Sequence, residues 1–167
     1  MDTSPDKIGF LVGTNGKPSL ANKALEFNLS HSGAKAIVGV TTLAPIGVDI
    51  EYARAISDMS ALAQRFFSPR EQQAFENLPA ALRPEGFFNC WTRKESFIKA
   101  TGEGLQRPLD SFDVSLTPNA PARIESIDGD SASAAQWTLR HFSVAPDYII
   151  ALAVASAAPF NVRQYEF

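Results

Sequence analysis

Three carboxylates, Asp49, Glu51 and Glu95, are the residues of this chain whose types and spacing could do chemistry together. In Gly47-Val48-Asp49-Ile50-Glu51, read as a strand, side chains alternate between faces, so Val48 and Ile50 share one and Asp49 and Glu51 the other. Glu95 belongs to a predicted helix in which, at about 100° per residue, Phe88, Trp91 and Ile98 project within one sector that also contains Glu95. A carboxylate on an apolar face needs a cation, a hydrogen-bond network or a cleft, because burying it ionised and alone is costly. Lys99, one turn later, is one available partner. If the three acids converge, they offer hard oxygen ligands with positions left open for water and phosphate, which suits Mg²⁺ and phosphoryl or pyrophosphate chemistry. The competing account is a half-buried strand with a solvated acidic face.

Other blocks carry weaker signals. Asn28-Leu29-Ser30-His31-Ser32-Gly33 follows a β-type run and reads as a turn whose hydroxyls, imidazole and N–H groups could face an anion, or as an ordinary polar hairpin. His31 alone is more often a structural or solvated histidine than a functional one, and Gly16-Lys17-Pro18 alone is a plain turn with a solvent-facing lysine. Cys90 is the only cysteine, so it has no intramolecular disulfide partner, and its neighbours Phe87, Phe88 and Trp91 indicate a buried thiol.

The elements that must position these residues follow from pattern. Met1 to Lys7 reads as a polar, unstructured lead-in and Ile8 to Val12 as an edge strand. Leu25 to Leu29, Ala36 to Thr42 and Ile46 to Glu51 are strands. Met59 to Phe67 is helical behind Ser57 and Asp58, and Ser68-Pro69-Arg70-Glu71 is a capping box that opens a second helix. Pro84 opens a third, running to about Ala100 and stopped by Gly102. Phe112 to Leu116, Arg123 to Ile127, Trp137 to Val144 and Tyr148 to Ala155 are β-like, the last two joined by a Pro146-Asp147 turn, and Gly129 to Ala135 reads as a mobile loop.

A chain of 167 residues, 45% hydrophobic, suits one domain with its own core. A formal net charge of −3 supplies no basic field for nucleic acid or an anionic membrane. The N-terminus has no basic segment followed by an apolar run, and nowhere are there about 18 consecutive apolar residues, so a cytoplasmic protein is expected.

Taken together, Gly16-Lys17-Pro18, Phe27-Asn28-Leu29-Ser30-His31-Ser32, Gly47-Val48-Asp49-Ile50-Glu51, Phe66-Phe67-Ser68 with Glu71, and Trp91-Thr92-Arg93-Lys94-Glu95-Ser96-Phe97-Ile98-Lys99-Ala100 resemble the 4′-phosphopantetheinyl transferases, in their larger, surfactin-synthetase-activating branch. The likeness continues through Gly102-Glu103-Gly104-Leu105 and Pro108-Leu109-Asp110-Ser111-Phe112, and beyond Phe112 rests on a strand-turn-strand ending. The resemblance implies an α+β fold, a mainly antiparallel sheet packed against a long helix, in one domain over residues 1–167. Residues 1–45 would correspond to the end of the family's first half, most of which is missing, and 46–167 to the second half that carries the metal site. It implies transfer of 4′-phosphopantetheine from coenzyme A to a serine of an apo-acyl or peptidyl carrier protein of fatty-acid, polyketide or nonribosomal peptide synthesis. Asp49, Glu51 and Glu95 would bind Mg²⁺ with the pyrophosphate of coenzyme A, while Lys17, Ser30 and His31 contact its phosphate groups. Lys99 would lie on the pyrophosphate, and Glu95 would accept the serine proton. Two alternatives stay open: a non-catalytic binding module that keeps the fold and the metal site, and a Mg²⁺-dependent phosphohydrolase, which leaves Ser30, His31 and Lys99 unexplained. The missing half would leave an apolar face uncovered, so a homodimer is expected unless Asp2 to Val12 covers that face.

Overall fold

The computed structural model describes residues 4–144 and 147–167, apart from the Leu105 side chain. In chain order the elements are β1 (Phe10–Val12), β2 (Pro18–Leu20), β3 (Glu26–Ser32), β4 (Lys35–Thr41), β5 (Ile46–Tyr52), α1 (Met59–Phe66), α2 (Pro69–Glu76), α3 (Arg83–Thr101), β6 (Phe112–Val114), β7 (Ile124–Ile127), α4 (Ser131–Ala134), β8 (Thr138–Val144) and β9 (Tyr148–Val154). This is the α+β architecture expected: a long helix on an antiparallel sheet of order β5-β9-β8, with the hairpins β1-β2, β3-β4 and β6-β7 around it.

β9 is apolar along its whole length and every residue of it is buried, so it takes the middle of the sheet. Its register with β5 sets Asp49 opposite Ala151 and Gly47 opposite Ala153. Those small partners leave room for α3 to lie on that face. At Gly47 the approach is closest: a Cβ there would stand 2.0 Å from the Ser96 carbonyl oxygen, so only glycine lets the helix settle. α3 begins with Pro84 in its first turn and ends at Gly102, which has a φ of 74° and donates its N–H to the Ile98 carbonyl at 3.0 Å.

The structure departs from the sequence reading in several places. β3 runs on through Ser30-His31-Ser32, so the expected turn there begins instead at Gly33, whose φ is 56°. Gly129 to Ala135 contains α4, one turn held by the Asp130 carboxylate, which accepts from Ala132 N–H at 2.9 Å and Ser133 N–H at 3.1 Å. Pro5–Lys7, expected to be unstructured, forms a 3₁₀ turn, and Asp58 sits at the α1 N-cap without a side-chain cap bond. β5 is buried on both faces, which removes the solvated acidic face as an account of Asp49. Residues 1–3 and Pro146, and with it the expected Pro146-Asp147 turn, lie outside the described residues.

α3 is buried on nearly every side rather than along one apolar sector, because the sheet covers one flank and α1, α2 and β6 pack on the other. That explains a buried cation in its middle. Lys94 is 1% exposed and spends its three donors on Glu71 Oε2 at 2.7 Å and on the carbonyls of Leu109 and Phe112, both at 2.6 Å. Glu71 in turn completes the capping box with Ser68, as expected, and accepts Val114 N–H at 2.7 Å. One pair thus ties α2, α3 and β6 together. Burial pushes the Glu71 carboxyl above its ordinary range, while Lys94 and the N–H donors pull it back. Lys94→Ala would leave Glu71 buried and unpaired and should cost about 3–5 kcal/mol in urea unfolding. A loss under about 1 kcal/mol would show that the pair does not hold the three elements.

Candidate functional site

β5 pairs with β9 along one edge, and among the described residues its other edge has no backbone partner. Three of its N–H groups face that way and are met by side chains at alternate positions of β3. Val48 N–H donates to Asn28 Oδ1 at 2.9 Å, Ile50 N–H to Ser30 Oγ at 3.4 Å, and Tyr52 N–H to Ser32 Oγ at 3.1 Å. Each serine has its own hydroxyl hydrogen left to give, and each gives it to an acid of β5. Ser30 Oγ donates to Asp49 Oδ1 and Ser32 Oγ to Glu51 Oε2, both at 2.9 Å. The same side-chain row therefore holds the strand edge and aims its carboxylates.

Asp49 is 3% exposed. Lys99 Nζ reaches across from α3 to Asp49 Oδ1 at 2.5 Å and to Ser30 Oγ at 3.0 Å. Burial pushes the Asp49 carboxyl up to about 7; Lys99 and Ser30 pull it down, and the charge of Glu95 adds to the rise. Glu95 is raised as well, first by burial and then by Glu51, with Lys99 opposing. Asp49, Glu95 and Glu51 thus form a chain of acids that feel one another's charge, with Lys99 inside it. No group of three or more His, Cys, Asp or Glu side chains among the described residues is gathered closely enough to hold a metal ion as it stands. The donors nonetheless suit a hard divalent cation: three carboxylates share the region, and Asp49 Oδ2 is a buried oxygen with no hydrogen-bond partner.

Ser30 and Lys99 join Asp49 directly. Lys99 pairs with Asp49 rather than with Glu95, the partner its helical spacing suggested. His31 alternates to the outer face of β3 and is exposed, so it is not brought together with Ser30. Lys17 donates to the carbonyls of Ala100 at 2.7 Å and Ile46 at 3.2 Å, capping the end of α3 against β5. Burial lowers its ammonium, with Glu26 opposing. Cys90 is fully buried, as expected. In the sequence Asn28 and Ser32 lie in a block with turn chemistry, but their spacing with Ser30 has the strand period of two.

The family model described as 4'-phosphopantetheinyl transferase superfamily matches residues 45–153, a span that includes all three acids and Lys99. The chain is 36% identical over 159 residues to the 4'-phosphopantetheinyl transferase HetI of Nostoc sp., covering 93% of this chain and 64% of that one. It is 36% identical over 149 residues to the 4'-phosphopantetheinyl transferase Sfp of Bacillus subtilis, covering 89% and 63%. To the 4'-phosphopantetheinyl transferase AcpT of Salmonella typhi it is 34% identical over 144 residues, covering 83% and 71%. The chain therefore spans less than two thirds of the length of the Nostoc and Bacillus relatives. Among solved structures, the holo-[acyl-carrier-protein] synthase of Thermotoga maritima superposes with a TM-score of 0.53 at 20% identity, covering 69% of this chain and 64% of that one, a likeness of fold.

Ser30 is where the geometry is most exposed to test. Ser30→Ala removes one donor and two acceptors from a buried position, stranding Ile50 N–H and leaving Asp49 Oδ1 with Lys99 alone, and should lower unfolding stability by about 1–3 kcal/mol. A neutral Ser30→Ala in a denaturant titration would reject the account of the β3–β5 edge.

Proposed function

The chain belongs to the 4'-phosphopantetheinyl transferase superfamily, and from that premise we propose that it transfers 4′-phosphopantetheine from coenzyme A to a serine of an apo-acyl or peptidyl carrier protein. The observation that carries this reading is Asp49, a buried acid whose Oδ1 is shared by Ser30 and Lys99 and whose Oδ2 is unpartnered, inside the matched span. Asp49, Glu51 and Glu95 would hold Mg²⁺. Bound there, it would supply positive charge against the pyrophosphate of the donor.

The chain's own residues divide the remaining work. Lys99, whose side chain is 29% exposed, can turn its ammonium from Asp49 toward a phosphate and offset charge that builds on the leaving oxygen. Glu95 takes the proton of the carrier serine; burial already lifts its carboxyl, which makes it a stronger base than a solvated glutamate. The serine oxygen bonds to the β-phosphorus of coenzyme A, the bond from that phosphorus to the bridging oxygen breaks, and 3′,5′-adenosine bisphosphate leaves with the electron pair. In this reading Ser30 holds Asp49 in place beside the phosphates, and Lys17 and His31 contact the outer phosphate groups. Lys17 would do so from its position at the end of α3, and His31 from the outer face of β3.

The second partner in this reading is another copy of the chain. The outer face of the β3-β4 hairpin presents Leu29, Val38 and Val40, each more than half exposed, and Phe10 of β1 stacks its ring edge-on to Phe27 beside them. Such a patch is an association surface by its chemistry. A strictly monomeric mass by light scattering across a micromolar concentration series rejects the dimer.

Incubation with coenzyme A, Mg²⁺ and a generic apo-carrier protein should add the mass of one phosphopantetheine to the carrier. Glu95→Gln, which keeps the volume and removes both charge and base, should lower kcat/KM by at least about 100-fold while leaving the circular dichroism spectrum unchanged. An active Glu95→Gln variant removes Glu95 from both roles. A wild-type chain that binds coenzyme A and carrier but transfers nothing would instead be the non-catalytic module.

A further inference from the structure

We propose that Arg93 and His141, on the flank of α3 away from the acids, form a site for a small monovalent anion. Across the sheet, Asp49, Ala151 and His141 make one row on one face, because β9 sets Ala151 opposite both of the others. β5 and β8 are two strand spacings apart, about 10 Å, and α3 lies over the alanine between them. Arg93 and Glu95 stand two residues apart on that helix, about 200° around it, so they leave it on opposite flanks. Glu95 goes to the β5 side, where its charge acts on Asp49. Arg93 goes to the β8 side, where burial first and the Arg93 charge second hold the His141 imidazole below its ordinary range.

Arg93 is a buried charge without a counter-charge. It is 1% exposed and belongs to no ion pair among the described residues. Glu85 stands eight residues back on α3, about 12 Å along the axis, and does not reach it. Nη1 donates to the Ser115 carbonyl at 2.6 Å and to Ser115 Oγ at 3.2 Å, which pins the guanidinium, while Nε is buried with no acceptor. His141 repeats the pattern: Nε2 lies 3.2 Å from Ser143 Oγ, and Nδ1 is buried without a partner. With the Ser143 hydroxyl donating to Nε2, Nδ1 carries the ring hydrogen and becomes a second donor. Asn89, one turn before Arg93, is pinned by the Leu116 carbonyl at 3.2 Å, and its Oδ1 is also buried and unpartnered. Buried donors beside an uncompensated cation call for an anion, and the amide oxygen calls for a hydroxyl or a water next to it. Ser115 and His141 are half-buried, so the guanidinium lies one side chain beneath the surface. So enclosed a cation suits an ion the size of chloride, formate or hydrogencarbonate and not a nucleotide.

The site is measurable without transfer. At fixed ionic strength, sodium chloride or sodium formate in place of sodium gluconate, whose anion is too large to enter, should raise the urea midpoint of the wild-type chain, and the rise should saturate. Arg93→Met keeps an unbranched stem and removes the charge, so it should abolish that rise. His141→Phe removes one donor and should leave a smaller rise that needs more salt. Crystals of the wild-type chain soaked in bromide should show an anomalous peak within hydrogen-bond distance of Arg93 Nε, which decides the matter even if Arg93→Met does not fold. A midpoint that follows ionic strength alone, a rise that survives in Arg93→Met, or bromide bound elsewhere with none at Arg93 would each overturn the site. A bromide peak there without a saturable rise is binding at crystal concentration only, and overturns it too. So does a chloride effect that coenzyme A cancels, since the anion would then sit where the donor's phosphates do, beside the acids. The coenzyme reading stands apart from these results: a chain that keeps the Arg93-dependent rise but binds no coenzyme A sinks that reading alone.

Discussion

The unpaired edge of β5 is the constraint on which the rest of the site depends. A buried N–H without an acceptor costs as much as a lost hydrogen bond, so an edge strand inside the protein must be covered or capped. Here the cover is a face of the β3-β4 hairpin, and the acceptors are Asn28, Ser30 and Ser32 rather than main-chain carbonyls. An amide oxygen at all three positions would satisfy the edge equally well. Hydroxyls do something more, because each both accepts from the strand and donates to the acid beside it. Folding this edge and orienting Asp49 and Glu51 are one set of hydrogen bonds.

The second requirement is that α3 sit close enough to bring its own charges to that edge. Gly47 permits the contact, Lys17 holds the C-terminal carbonyls of the helix against the start of β5, and Gly102 closes the last turn. On the opposite flank the Lys94–Glu71 pair fixes the same helix to α2 and β6. Glu95 and Lys99 are therefore delivered by an element anchored at its end and in its middle. Burial raises the carboxyls of Asp49 and Glu95, and the charge of a neighbouring acid adds to each rise. Such a group of like charges is held together by packing and hydrogen bonds made elsewhere.

Much of this could be read in the sequence where local chemistry decides. The capping box at Ser68–Glu71, the helix bounded by Pro84 and Gly102, and the alternation in Gly47–Glu51 each express a short-range rule and appear as expected. What could not be read was tertiary. Ser30-His31-Ser32 looks like a turn because serine and glycine favour turns, yet partners on β4 and β5 keep it extended. Helical spacing gave Lys99 to Glu95, but the nearer charge comes from a different element, Asp49. The all-round burial of α3 is tertiary in the same way: a helix covered on all flanks has no solvent face for periodicity to reveal.

Two lysines of α3, Lys94 and Lys99, and a third at its end, Lys17, differ in what their hydrogen bonds let each do. Lys94 gives its three donors to Glu71 and two carbonyls and is 1% exposed, so any ligand would first have to break a buried ion pair. Lys17 gives two to backbone carbonyls, and drawing it away would uncap the helix end. Lys99 gives two as well, but to a carboxylate and a hydroxyl that have other partners or charges nearby, and it is partly open to solvent. An incoming anion can replace Asp49 as its partner while an incoming cation replaces Lys99 beside Asp49. In the proposed reaction the pair would divide into an anion-binding half, Lys99, and a cation-binding half, Asp49, each taking a new partner of opposite charge. Ser30, which donates to Asp49 Oδ1 at 2.9 Å, would keep that carboxylate in place during such an exchange.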